Sequence, residues 1–469
     1  MNEPSWWTLL KELLRVAGPL VISSGCWTIE LALDRMFLSW YHPLAVGAAV
    51  QSAMVFWAVF VLPYNCIGYV GTFVAQYHGA GKVDRQGPVV WQGLYLAMLV
   101  GLIALAWLPF AQATVDWLGH EAQLRQWERE YLICLIVSAL PTLVVAAISG
   151  FFAGRGETWA VLAINLVSVI TNLVLDYALI FGHWGLAELG VVGAGIATVI
   201  AAIVSAMLAL GLFWRNKYRE YCGTWQGRAI EVALLRRLLR YGLPAGLQWW
   251  FDSLAWTVFL VVIGWMGAEE LSATSVAFAI NSVAFVPMLG LGQAISVLVG
   301  QHLGENRPGA ASQVTWIGFG ITWLYMSVVA GLYYWAPGIF VDWFYVFTSD
   351  KFQILHMQAR VRELTCWLLQ FVALYCLFDS MNIVFSSALR GAGDTVYITW
   401  MSAGLAVPVL IVPSWLAWYY DWGLGVAWGF ATGYVIVLAL VFLGRFLGGK
   451  WRTMRVIEWN YRSPEGGGF

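Results

Sequence analysis

Arg15-Val16-Ala17-Gly18-Pro19 returns 225 positions further on as Arg240-Tyr241-Gly242-Leu243-Pro244. At the same shift, Phe73-Val74-Ala75-Gln76-Tyr77-His78-Gly79 falls on Leu298-Val299-Gly300-Gln301-His302-Leu303-Gly304. Ala153-Gly154-Arg155-Gly156-Glu157-Thr158 pairs with Arg390-Gly391-Ala392-Gly393-Asp394-Thr395, the shift having grown to 237 through small insertions. A repeat whose period is half the chain predicts two equivalent units rather than a solenoid of short ones.

Composition says where those units lie. Hydrophobic residues make up 61% of the 469 and charged residues 11%, against about 25% charge in soluble domains. Residues 43–81, 86–115, 189–214, 271–304, 308–341 and 395–420 contain no Asp, Glu, Lys or Arg. Each run exceeds the ~20 residues a helix needs to cross hydrocarbon. The short polar–apolar alternation of an outer-membrane barrel is absent from the pattern. The expectation is an all-α polytopic membrane protein: two facing bundles with a cavity between them, the architecture of a transporter.

Twelve spans are predicted, at roughly 16–40, 46–74, 88–115, 131–153, 159–182, 190–214, 239–266, 272–300, 310–337, 362–387, 396–418 and 423–447. Six per half is an even number, so both halves start on the same side of the membrane and are related by a pseudo-twofold axis along its normal. The division is read as an amino lobe 1–214, a linker 215–237 and a carboxy lobe 238–469. The linker carries Arg215, Lys217, Arg219, Arg228, Arg236 and Arg237 and is taken as cytoplasmic by the positive-inside rule. Lys11, Arg15, Lys82, Arg85, Arg155, Arg240, Arg307, Arg390, Arg445, Lys450, Arg452, Arg455 and Arg462 fall on the same side. The opposite side holds Arg125, Arg129, Lys351, Arg360 and Arg362, diluted by Glu121, Glu128, Glu130, Asp350 and Glu363. Both termini are therefore expected in the cytoplasm, and the basic excess is spent on topology rather than on nucleic acid. Residues 6–14 read as an interfacial helix leading into the first span, without a small-residue cleavage site. The six cysteines read as small core residues, the many Trp as interfacial belts, and 463–469 as a disordered tail.

The informative residues are the few charges inside spans, since each costs several kcal/mol in hydrocarbon unless it meets a wet cavity or a partner. They are Glu30, Asp34, Arg35, Asp176, Asp252 and Asp379, five of the six acidic. Asp34 follows Glu30 by four residues and shares its helix face. Two anions that close repel, which suits a group that takes up and releases a cation. Arg35 points about 100° away from Asp34 and reads as a pairing or snorkelling residue. Asn172 and Asp176 again share a face, offering hard oxygen ligands for sodium or a hydrogen-bonded proton site, and Thr198 can add a hydroxyl. The bland alternative is an interhelical hydrogen-bond clamp.

In the second half, Asp252 follows Gln248-Trp249-Trp250-Phe251, so a carboxylate stands beside aromatic faces that attract cations. Asp379 sits in a similar mixture with Tyr375 and Asn382. These six residues (Gln248, Trp249, Asp252, Tyr375, Asp379 and Asn382) are the expected substrate or second cation site, with Asp252 and Asp379 as candidate sodium ligands. Few buried bases are available in the pattern to neutralise those acids. Enzyme signatures are missing: the histidines are scattered, and the Gly-x-Gly segments lack the strand context or trailing lysine of a nucleotide loop. No cofactor is expected.

Taken together, 73–85 with its Gln-x-x-Gly-Ala-Gly pattern, Asn172-Leu173-Val174-Leu175-Asp176-Tyr177, 190–198, 299–306 and Ala388-Leu389-Arg390-Gly391-Ala392-Gly393-Asp394-Thr395 resemble the MATE (multidrug and toxic compound extrusion) family over nearly the whole chain. The resemblance is to its NorM-like bacterial members. It implies cation-coupled export of organic cations by alternating access between two lobes. Under it, Asp34 matches the acid of the first helix, and Asn172, Asp176 and Thr198 match an amino-lobe ion site. Asp379 matches a carboxy-lobe acid, while Asp252 stands where such members usually carry Glu. Arg35 departs from a usually small or polar position.

The resulting expectation is a bacterial inner-membrane antiporter, a monomer in the bilayer, that exports amphipathic or cationic compounds in exchange for H+ or Na+. The rival is a flippase for lipid-linked oligosaccharides or other lipids. Anionic cargo of that kind calls for basic cavity residues, whereas the charges inside these spans are mainly acidic.

Overall fold

A computed structural model of the chain describes residues 4–348 and 355–458. Asp350, Lys351, Arg462 and the tail 463–469, placed above by sequence, lie outside the described residues. Among the described residues, twelve helices are long and apolar enough to cross a membrane: α1 (Trp6–Tyr41), α2 (Leu44–Gly79), α3 (Val83–Leu118), α4 (Ala122–Gly154), α5 (Thr158–Phe181), α6 (Val191–Phe213), α7 (Val232–Met266), α8 (Ala268–Gly304), α9 (Pro308–Trp335), α10 (Ala359–Ala392), α11 (Thr395–Tyr419) and α12 (Leu424–Leu447). All twelve predicted spans are present. Their ends differ where a helix outlasts its apolar run, because backbone hydrogen bonding continues for turns after hydrocarbon contact stops. The segment 6–14 is helical and leads into the first span without a break: α1 runs from Trp6, with Ser5 as its N-cap accepting from the Thr8 amide at 3.3 Å.

The repeat is visible in the packing. In the first six helices α1 lies on α5, α2 on α4, α3 on α4, and α4 and α5 on α6. Adding six to every number gives the packing of the second half: α7 on α11, α8 on α10, α9 on α10, and α10 and α11 on α12. The lobes meet through α1 against α8 and α2 against α7, which is again one contact made twice. That interface is close because glycines line it. A Cβ on Gly246 would lie 2.3 Å from the Leu62 carbonyl oxygen, and one on Gly290 would lie 2.5 Å from Val21 Cα.

Proline shapes several spans without ending them: Pro19, Pro63, Pro141, Pro244 and Pro287 lie inside helices. Pro19 and Pro244 occupy matching positions in α1 and α7. In α11 the effect is larger. Pro408 has no amide hydrogen to donate, and residues Ala406–Ile411 widen into a π-turn. The connection between the lobes carries a short helix, Asn216–Tyr221. It is pinned to the amino lobe by the Gly87 amide donating to the Cys222 carbonyl at 2.9 Å and by Trp91 Nε1 donating to that of Thr224 at 2.6 Å.

Candidate functional site

Asp34 on α1, Tyr131 on α4, Asp176 on α5 and Thr198 on α6 converge in the amino lobe. The Tyr131 hydroxyl donates to Asp34 Oδ2 at 3.0 Å. Thr198 and Asp176 both stand within electrostatic reach of that hydroxyl, and Asp176 feels Asp34 and Glu30 in turn. Asp34 is 6% exposed, Asn172 2% and Asp176 0%. Asp34 Oδ1 and both oxygens of Asp176 are buried with no hydrogen-bond partner among the described residues. Buried carboxyl oxygens left unpaired are costly, which marks this cluster as the candidate site of the amino lobe. Glu30 is half-buried and Arg35 exposed; no ion pair of Arg35 is found among the described residues. Tyr131 escaped the sequence reading because a lone tyrosine in a span carries no signal of its own.

The carboxy-lobe residues divide. Asp252 and Asp379 stand within electrostatic reach of each other, and Asn382 donates to Asp379 Oδ1 at 3.3 Å. Gln248 Nε2 lies 3.5 Å from Asp252 Oδ2, while its Oε1 accepts from Arg390 Nη2 at 3.0 Å. The Arg390 guanidinium also lies 5.6 Å from the Trp249 ring centre and within electrostatic reach of Asp252. This corrects the expectation that few bases lie near these acids. Arg390 had been counted among the loop bases, but α10 runs on to Ala392 and carries its side chain inward, with Nε buried and unpartnered. Tyr375 is 5% exposed. Its hydroxyl accepts from Asn281 Nδ2 at 2.9 Å and its ring stacks on Trp428, so it belongs to the lobe interior.

A seam closes one end of the molecule. Gln76 Nε2 donates to the Gly391 carbonyl at 3.0 Å, and Gln301 Nε2 donates to that of Gly154 at 2.7 Å. These are the same bond made twice, since Gln76 and Gln301, and likewise Gly154 and Gly391, are repeat equivalents. The residues 450–458 then pass beneath both lobes. The Val456 amide donates to Gln76 Oε1 at 2.8 Å, Lys82 Nζ to the Glu458 carbonyl at 2.8 Å, and Arg237 Nη1 lies 2.6 Å from Glu458 Oε1. Burial alone raises the Glu458 carboxyl, but Arg237, Arg85 and the Tyr77 hydroxyl outweigh it and hold the group below its ordinary value. From Gly25 in α1 and Asp252 in α7 onward, the hydrogen bonds, ion pairs and ring contacts found among the described residues stay within one lobe. The lobes are therefore bound at the end where α1 begins and residues 450–458 lie, and the acids lie beyond that seam.

The family model MatE matches this chain twice, over residues 19–178 and 244–416, one match to each half. The chain belongs to the MatE family. The two matches begin at Pro19 and Pro244, the pair that opened the internal repeat. A probable multidrug resistance protein NorM of Pseudomonas putida is 28% identical over 96% of each chain. Its counterpart from Thermotoga maritima is 25% identical over 95% of this chain and 94% of its own. Among solved structures, a MOP superfamily transporter from Pyrococcus furiosus superposes with a TM-score of 0.85 at 19% identity, covering 97% of this chain and 100% of its own. A MATE protein in complex with MaL6 gives 0.85 at 20% identity, over 95% and 97%. This MatE member is a multi-pass membrane transporter with a two-lobed fold.

Proposed function

We propose that the chain is a secondary antiporter of the bacterial inner membrane that exports amphipathic, cationic compounds in exchange for protons or sodium, by alternating access between its two lobes. Several of the relatives carry the name multidrug resistance protein, which supports drug-like small molecules as the cargo class. The observation that carries the reading is the pair Asp34 and Asp176, buried together with unpaired oxygens and, among the described residues, no ion pair to a base, although Arg35 stands within electrostatic reach of Asp34. Such a pair holds either a coupling ion or a positively charged cargo, and arrival of one weakens the hold on the other.

The proposed topology places both termini and the seam in the cytoplasm, with an amino lobe 1–214, linker 215–237 and carboxy lobe 238–469 in one monomer. On this topology the bound seam is the cytoplasmic end of the two lobes. Protons are the favoured coupling ion, acting at Asp34 and Asp176 with Glu30, Asn172 and Thr198 in support. Asp252 and Asp379 with Gln248, Trp249, Tyr375 and Asn382 are weighted toward cargo or a secondary sodium site. Arg390 beside Asp252 already supplies a positive charge there, which lowers the affinity for sodium. One charge returning through about 100 mV gains ~2.3 kcal/mol, enough for a gradient between tenfold and a hundredfold at ~1.4 kcal/mol per decade.

Proteoliposomes with imposed proton or sodium gradients test this. Uptake of a cationic dye driven by either gradient supports the antiporter. Transport of sugar-lipids or other anions in its place, indifferent to both gradients, establishes the flippase instead.

A further inference from the structure

We infer that the carboxy lobe carries a binding groove for an anionic phospholipid between the start of α11 and the end of α12. A groove of about 440 Å³ lies there, lined by Tyr397, Val441, Gly444, Arg445, Gly448 and Lys450. Its floor is backbone. Gly444 and Gly448 are one turn apart, and a Cβ on Gly444 would meet nothing within 4 Å. No side chain of the protein fills this space.

The groove changes character along its length. Val441 lies well inside the α12 span, whereas Lys450 lies beyond its last residue, Leu447. Leu440 and Leu447 on α12 and Trp400 on α11, at 51%, 62% and 66% exposed, are apolar side chains on the outer surface of the two helices that form it. An occupant is thus met by hydrocarbon at one end and by cations at the other, which matches an acyl chain under a charged headgroup and does not match a free ion.

The headgroup end has the donors that a phosphodiester needs. Arg445 is held rigidly: Nε and Nη2 donate to the two Asp394 oxygens at 2.6 and 3.2 Å, and the guanidinium lies 4.3 Å from the Tyr397 ring centre. Asp394 balances that charge, and Nη1 makes no hydrogen bond among the described residues. Lys450 is exposed and has no carboxylate partner among the described residues, so the groove carries one net positive charge. The Tyr397 hydroxyl likewise makes no hydrogen bond among the described residues. An ammonium, a positioned guanidinium edge and a phenol together recognise one anionic phosphate, with strength from charge-assisted bonds. Asp394 also belongs to the turn that presents Gly391 to Gln76, so the groove abuts the seam between the lobes.

The test uses the full chain in detergent, titrated with short-chain phosphatidylglycerol, phosphatidylcholine and inorganic phosphate, with retained lipid counted by native mass spectrometry. Phosphatidylglycerol is expected to bind at least about tenfold more tightly than phosphatidylcholine. Lys450→Glu removes that preference, Gly444→Phe blocks binding by filling the floor, and Gly444→Ala preserves it because its Cβ enters open space. Equal binding of the two lipids overturns the proposal, as does displacement by inorganic phosphate at equal concentration. Unchanged affinity in Lys450→Glu, an exposed substitution that leaves the fold intact, overturns it independently of how Gly444→Phe folds.

Discussion

A Cβ on Gly304 would lie 2.2 Å from the carbonyl oxygen of Gln76, and one on Gly79 would lie 1.9 Å from that of Gln301. The two approaches are repeat images of each other across the seam. Backbone on backbone cannot yield as a flexible side chain does, so the closed end exists only with glycine at both positions. Gly304→Val is expected to cut transport at least tenfold while the protein still folds. Thiol probes applied from the terminal side will reach a cysteine placed at Ala75 in the variant and not in the parent. Full transport by Gly304→Val would show that the seam never closes during the cycle.

The two glutamines of the seam are equivalent in sequence but not in connectivity. Gln301 makes one side-chain bond across the lobes, whereas Gln76 donates to Gly391 and also accepts from the Val456 amide. Each net hydrogen bond contributes about 1 kcal/mol. Gln76→Leu is therefore expected to lower the melting temperature in detergent more than Gln301→Leu does. Equal or reversed shifts refute the clasp as described.

Asp34→Asn and Asp176→Asn are expected to abolish gradient-driven export without loss of folded protein in the membrane. Tyr131→Phe, which removes only the donor to Asp34, is expected to retain part of the activity, on the order of a tenth. Glu30→Gln separates a working member of the cluster from a bystander. Dye efflux from energised vesicles reads all four, and an Asp176→Asn protein exporting at the parental rate excludes that carboxylate from coupling.

Transport is expected to persist without sodium when a proton gradient is imposed. Arg390→Gln removes the positive charge beside Asp252 and is expected to make transport more responsive to sodium. Strict sodium dependence in the parent, lost in Asp379→Asn and kept in Asp34→Asn, reverses the assignment of the two lobes.

The Glu458 strap has a defined pH response. Its carboxyl is held below the ordinary value of 4.5, so the stability it contributes is fully present above about 4.5. That contribution disappears as pH falls through the lowered value. Glu458→Gln is expected to make the strap equally loose above and below that window, measured as protease access to residues 450–458. A parental strap whose protection stays flat from pH 6 to 3 contradicts the ion pair's role.

Much of this was legible along the chain. Hydrophobic runs separated by charges mark twelve helices, because the cost of charge in hydrocarbon is local and acts on each span alone. The same cost singled out Asp34, Asp176, Asp252 and Asp379. Helical spacing put Glu30 with Asp34 and Asn172 with Asp176 on common faces before any packing was known. The amphipathic start at 6–14 leads into the first span as one helix, because an amphipathic turn and a transmembrane turn share one backbone conformation.

The sequence by itself determined the helices, the two-lobed repeat and the acids that spans cannot hide. Only tertiary structure decided which groups meet. Tyr131 reaches Asp34 across 97 residues, and Gln248 meets Arg390 across 142. Val456 returns to Gln76 over 380 residues, between segments that share no local pattern. The physical reason is that hydropathy and helical period act within a few turns, whereas a hydrogen bond or an ion pair depends on the approach of helices set by packing. Arg390 illustrates the difference: its charge is plain in the sequence, but its direction, toward Gln248 and Asp252, exists only once α7 and α10 are packed together.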